Sequence, residues 1–150
     1  MAETEKMVFD GKLDINYKYA SGKVTGKFYD EIEENKKIFG IKCSKCNTVY
    51  VPPRQTCGPC FTTMEEWVEV QPTGVVTNYT IVNYAEPLIQ PMEPPYAQAL
   101  IKLEGADTPF IHLIGEVDVE KVKIGMKVEA VFAEEKTGNI LNIKYFKPVE

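Results

Sequence analysis

Apolar and polar residues alternate with a period of two along most of the chain beyond position 68, the signature of strands that bury one face. Residues 68–82 read as one long strand, and Gly74 in its interior predicts a bulge or sharp bend. Ala97, Ala99, Ile101 and Leu103 alternate with Gln98 and Lys102, and a turn from Gly105 to Pro109 leads into a hairpin partner over 110–117. Asp118 is placed to cap a short helical turn over 119–122. A fourth strand sets Met126, Val128, Ala130 and Phe132 against Lys127 and Glu129, and Thr137-Gly-Asn139 turns the chain into a fifth over 140–146. Three strands, a helical turn and two further strands is the element order of an OB-fold barrel.

Upstream the period changes. Val24, Phe28 and Ile32 lie four apart, opposite Asp30, Glu33 and Glu34, which predicts a helix over 24–39 with Gly40 as its C-cap. The acidic residues precede Lys36 and Lys37, the order that suits the helix dipole. Leu13, Ile15, Tyr17 and Tyr19 alternate ahead of it as an extended arm, lying either on the chain's own surface or on a partner. Between helix and barrel, extended segments carrying Ile41, Val49, Tyr50 and Val51 surround the cysteines. The expected organisation is mainly β with an N-terminal helix: arm and helix over 1–38, a ribbon over 39–66 and a five-stranded barrel over 67–150.

The cysteines add chemistry to this outline. All four fall in Cys43-Ser-Lys-Cys46 and Cys57-Gly-Pro-Cys60, ten residues apart, a spacing that lets two knuckles aim four thiolates at one ion. Four thiolates leave no coordination position open, so the ion is expected to be structural. Zinc is favoured, and iron stays open because tetrahedral thiolates accept either. Two disulfides would need an oxidising compartment, whereas residues 1–6 are charged and polar and no apolar signal core follows. A thioredoxin-like pair would need a single Cys-x-x-Cys at a helix start. Asn47 follows the first knuckle, where a left-handed residue is useful, and Phe61 in the equivalent place predicts a less regular second knuckle.

With 150 residues, 44% hydrophobic and 26% charged, the chain can bury a core, and no apolar run approaches a membrane span, so a cytoplasmic location is expected. A net charge of -5 argues against a general attraction to nucleic-acid backbone. Lys36, Lys37, Lys42, Lys45 and Arg54 surround the metal segment, as compensation for a site of net charge about -2. His112, the only histidine, shares a strand face with Phe110 and Ile114 and reads as a barrel histidine. With no thiol to spare, no serine elbow and no phosphate loop, no catalytic residue is expected. The loop over 85–96 holds four prolines and presents Leu88, Ile89 and Met92 where OB-folds often build a binding surface.

The run Phe39-Gly-Ile-Lys-Cys43-x-x-Cys46, then Val51-Pro-Pro-Arg54, Cys57-x-x-Cys60 and Ile124-Gly-Met-Lys-Val128, resembles the thiolase-associated family first filed as domain of unknown function number thirty-five. The resemblance spans residues 24–147. It implies an N-terminal helix, a rubredoxin-like zinc ribbon with Cys43, Cys46, Cys57 and Cys60 as zinc ligands, and an OB-fold. It also implies a non-catalytic subunit that accompanies a larger thiolase-like or other acyl-CoA-processing enzyme and helps shape access for the CoA thioester. A chain of this length resembles the small subunits of degradative thiolases, among them the benzoylsuccinyl-CoA type of aromatic breakdown. A nucleic-acid-binding module, with Tyr79, Tyr84 and Phe110 stacking on bases, is the alternative reading. An iron-bearing electron carrier is the third.

Overall fold

A computed structural model describes residues 11, 15, 17–84 and 91–149. Helix α1, Gly22–Asn35, buries Phe28 and Ile32 and leaves Asp30 and Glu34 exposed. It ends earlier than the periodicity predicts. Lys36 adopts a left-handed conformation with φ of 53°, and the Lys36 and Lys37 N–H groups close back on the carbonyls of Ile32 and Glu31. Ile38 and Phe39 belong to a strand, not to the helix, and Gly40 is not a C-cap.

Three strands form the first sheet: β1 (Ile38–Lys42), β2 (Val49–Tyr50) and β3 (Glu66–Val70), in the order β2-β1-β3. Gly40 sits in the middle of β1 because a Cβ there would come within 2.7 Å of Val49 Cγ1 and 3.0 Å of Val51 Cγ2. The expected long strand over 68–82 is two strands in two sheets, with Gln71 and Pro72 between them. Pro72 has no N–H to continue a ladder, so the break follows from a residue already visible in the sequence.

The second sheet is a closed barrel in the order β4-β5-β6-β8-β7, formed by β4 (Thr73–Val82), β5 (Tyr96–Leu103), β6 (Phe110–Ile114), β7 (Lys127–Phe132) and β8 (Ile143–Pro148). This is the OB-fold arrangement, with the first three strands consecutive and the fifth closing between the third and fourth. The register shift in β4 lies between Val76 and Asn78, not at Gly74. Gly74 serves close approach instead. A Cβ there would lie 2.5 Å from the Lys102 carbonyl oxygen, so glycine is what lets β4 come up against β5. Strand β6 stops at Ile114, short of the predicted residue 117. Residues 140–142 form a single 3-10 turn capped by Asn139, and the last strand starts only at Ile143.

One hydrophobic core joins these parts. Phe28 and Ile32 of α1, Ile38, Val49 and Val51 of the first sheet, and Val76, Ile101, Phe110, Val128 and Phe146 of the barrel belong to one buried cluster. A smaller cluster of Ile41, Cys43, Tyr50, Cys57 and Met64 lies apart from it, on the cysteine side of the first sheet. Barrel and ribbon are also stitched by backbone. The loop between β5 and β6 brings Asp107 Oδ2 to the Val49 N–H at 2.8 Å, while the Asp107 N–H donates to the Val49 carbonyl at 2.9 Å. Thr108 Oγ1 accepts from the Val51 N–H at 2.9 Å and lies 3.1 Å from the Val51 carbonyl. The two-residue strand β2 therefore has its outer edge closed by the barrel.

Candidate metal centre and surrounding surfaces

Each Cys-x-x-Cys folds as a knuckle closed by the same two backbone bonds. In the first, Asn47 N–H donates to the Cys43 carbonyl at 2.8 Å and Cys43 N–H to the Thr48 carbonyl at 3.0 Å. In the second, Phe61 N–H donates to Cys57 and Cys57 N–H to Thr62, both at 2.9 Å. Phe61 takes the left-handed conformation at φ 51°, as Asn47 does at 59°. The second knuckle is thus as regular as the first, against expectation. Its bonds impose the turn, and the phenyl ring avoids a steric conflict by standing 87% exposed.

The correspondence extends beyond the knuckles as a 14-residue repeat. Lys42 pairs with Val49 as Thr56 pairs with Thr63, and Ile41 pairs with Tyr50 where the Met64 N–H bonds to the Gln55 carbonyl. Tyr50 and Met64 are therefore equivalent positions, both buried beside the thiols.

The four sulfurs of Cys43, Cys46, Cys57 and Cys60 all lie within 4.8 Å of one another, and Cys46 and Cys57 are 3.7 Å apart. A tetrahedral ion with metal–sulfur bonds of about 2.3 Å sets its sulfurs about 3.8 Å apart, so the donor set fits one such ion. Cys43 and Cys57 are fully buried, Cys60 is half-buried and Cys46 is exposed. Their protonation is split. Cys46 is lowered to about 6, first by the hydroxyl of Thr48, 3.2 Å from its sulfur, and by the Thr48 N–H. Cys57 is lowered chiefly by the Tyr50 hydroxyl at 3.3 Å. Cys60 is pushed up to about 12, first by its hydrogen bond to Cys46, with burial and the other two thiols adding. Four thiolates this close together need a cation to be ionised together.

Tyr50 and Thr48 escaped notice in the sequence because a hydroxyl aimed at a sulfur leaves no periodic trace. Arg54, from the Val51-Pro-Pro-Arg54 segment that crosses between the knuckles, stacks over the Tyr50 ring at 4.5 Å. Lys27 of α1 lies 4.4 Å over the Trp67 ring, and a cleft of about 610 Å³ opens between these two stacks.

His112 is buried. Its Nδ1 accepts from the Leu113 N–H at 2.9 Å and its Nε2 lies 3.3 Å from the Ile140 carbonyl, between the rings of Phe110 and Phe146. Both ring nitrogens are thus engaged by backbone, and burial lowers the histidine below its usual range. Phe110 is 2% exposed and cannot stack on a base, which removes one of three aromatics from the nucleic-acid reading. Tyr84 is exposed and Tyr79 half-buried. Glu33 is not part of a solvated face. Its carboxylate accepts from the Gly138 N–H and the Asn142 side chain and pairs with Lys136, and these contacts, Asn142 foremost, hold it below the usual carboxylate range. Ile15, Tyr17 and Tyr19 of the arm are exposed, as expected of a segment with no packing of its own. Leu13, Leu88 and Ile89 lie outside the described residues, and Met92 is half-buried. Among the described residues no helix is long and apolar enough to cross a membrane.

The family model of the ChsH2 C-terminal OB-fold domain matches residues 67–133. A relative from Methanocaldococcus jannaschii, a DUF35 domain-containing scaffold protein, is 33% identical over 133 residues, covering 85% of this chain and 93% of the relative. Among solved structures, one described as an Ltp2-ChsH2(DUF35) aldolase superposes with a TM-score of 0.63 at 23% identity, over 87% of this chain and 98% of that chain. A DUF35-family protein of unknown function from Sulfolobus solfataricus superposes with a TM-score of 0.59 at 29% identity, over 73% and 78% of the two chains.

Proposed function

The chain belongs to the DUF35 family, and from that premise we propose that it is a non-catalytic accessory subunit of a thiolase-like, acyl-CoA-processing complex. The observation that carries this reading is its likeness, over nearly the whole length of both chains, to a relative named as a scaffold protein. The site chemistry supports it. The cysteines converge on one another, and the single histidine is held by backbone inside the barrel. A structural Zn2+ held by Cys43, Cys46, Cys57 and Cys60 would supply cross-linking and no open coordination position. The ribbon over 39–66 and the barrel over 67–150 are the two working units behind the arm and helix of 1–38, and after β3 the residues Gln71 and Pro72 lead into the first barrel strand.

The partner is a larger thiolase-like subunit in the cytoplasm. The arm, the outer face of α1 and the proline loop are the contact surfaces, and the chain helps shape access for the CoA thioester. The benzoylsuccinyl-CoA thiolases of aromatic degradation are the narrowest form of this reading. Stable interfaces bury at least about 1,200 Å2 and rest on a few aromatic or apolar anchors. Tyr17, 75% exposed, is such an anchor. Co-expression with a thiolase-like subunit from the same genome, followed by size exclusion, should yield one complex, and Tyr17→Ala should weaken it without loss of metal. Separate elution of the two chains, or tight binding of single-stranded nucleic acid at physiological salt, would overturn the proposal.

A further inference from the structure

The repeat that relates the two knuckles is broken where a buried side chain faces the thiols. Asn47 matches Phe61 and Thr48 matches Thr62, each pair in the same backbone role, but Tyr50 matches Met64. Both side chains are buried against the thiols, and only the tyrosine carries a hydroxyl. That hydroxyl crosses to the opposite knuckle and stops 3.3 Å from Cys57 Sγ, a sulfur shut off from water. Once a metal ionises the cysteine, the sulfur can only accept, so the phenol is the donor. The Arg54 guanidinium over the ring face, 4.5 Å from its centroid, fixes the ring and draws electron density from it, which makes the hydroxyl a better donor. The Val51-Pro-Pro-Arg54 segment thereby gains a chemical role, since it carries the cation to the tyrosine.

We propose that Tyr50 is a positioning residue of the metal centre, whose O–H donates to Cys57 Sγ, withdraws charge from that one thiolate and makes it the ligand least prone to leave the ion. A hydrogen bond to a charged acceptor in a dry site is stronger than a neutral one, and outer partners of metal ligands typically change affinity 10- to 100-fold. The two knuckles then differ in function. The first supplies an O–H to the second, and Met64 returns nothing of the kind to Cys43.

This inference rests on the metal reading above, and the test separates the two. Full-length protein is purified with zinc, the metal content is measured, and Co2+ is then exchanged in. If the wild-type chain holds no metal, the metal reading itself fails. If it holds one, Tyr50→Phe should release zinc to a chromogenic chelator at least about 10-fold more readily. The sulfur-to-cobalt charge-transfer band should move to lower energy, because a thiolate stripped of its donor is easier to oxidise. A loss of packing alone would not move the band in that direction. If Tyr50→Phe does not fold, site-specific replacement of Tyr50 by a fluorotyrosine keeps the ring and strengthens the donor, and the band should shift to higher energy. An unmoved band in the variant that folds overturns the proposal, whatever happens to affinity.

Discussion

Replacing Cys57 by serine should dissolve the knuckles and leave the barrel standing. The two turns, residues 43–48 and 57–62, hold twelve residues whose ordering costs roughly 18 kcal/mol at about 1.5 kcal/mol each. On the cysteine side of the first sheet, the large apolar side chains available to offset that are Ile41, Tyr50 and Met64, with Trp67 half-buried against them. At about 1.5–3 kcal/mol for each of the three and about half that for Trp67 they return roughly 5–11 kcal/mol. The shortfall of about 7–13 kcal/mol overlaps what a structural zinc supplies, about 10–16 kcal/mol. The barrel has no such deficit, since Val76, Ile101, Leu103, Phe110, Val128, Ile143 and Phe146 are all buried within it. Hydrogen–deuterium exchange on Cys57→Ser should therefore show amides of residues 43–48 and 57–62 exchanging near the unfolded rate while β5 stays protected. Elemental analysis should show zinc lost. If the knuckle amides keep wild-type protection without any metal, the apolar side chains suffice and the reasoning is wrong.

Gly40→Ala should cost about 1–3 kcal/mol, because the new methyl meets Val49, Val51 and the Tyr50 carbonyl at 2.7 to 3.1 Å. Thermal denaturation should register this as a lowered midpoint with metal content unchanged. His112 is buried neutral, so the unfolded chain binds a proton more readily than the folded one. Stability is complete above pH 6.5, the ordinary histidine value, and declines as pH falls below it. Urea titrations at pH 5 and pH 7.5 should show that loss, and His112→Phe should flatten it if the packing is retained. Glu33, whose folded-state value is depressed, adds a second loss as pH falls below about 4.5, and Glu33→Gln should lower the thermal midpoint at neutral pH while weakening that acid-induced decline.

The barrel was legible because each strand buries one face, and alternation survives any detail of closure. Ala97, Ala99, Ile101 and Leu103 point inward as their spacing predicts. Element ends were less legible. Nothing in Lys36 announces a left-handed residue, and periodicity alone extends the helix to residue 39 with Gly40 as its cap, whereas the real constraint on Gly40 is the nearness of β2. The break at Pro72 is marked by a residue without an N–H, but the hydrophobic run on either side masks it. In the cysteine cluster the four thiols were plain from their spacing, whereas the hydroxyls that meet them were not. Tyr50 sits four residues past one knuckle and reaches a sulfur of the other, and Glu33 reaches partners more than a hundred residues away. Such contacts are set by how the layers pack.

The closure of β2 by Asp107 and Thr108 has a consequence for the order in which the protein matures. Cys43, Cys46, Cys57 and Cys60 leave the ribosome well before the loop that completes their sheet, because the bonds from Val49 and Val51 reach 58 and 57 residues ahead. During that interval the nascent ribbon has its thiols but only one neighbour for a two-residue strand. A metal captured in this window would hold the knuckles until the barrel arrives to seal them. A chain truncated before residue 104 should accordingly bind the ion yet release it faster than the finished protein, which would make translation itself the stage at which the site is most open to the wrong metal.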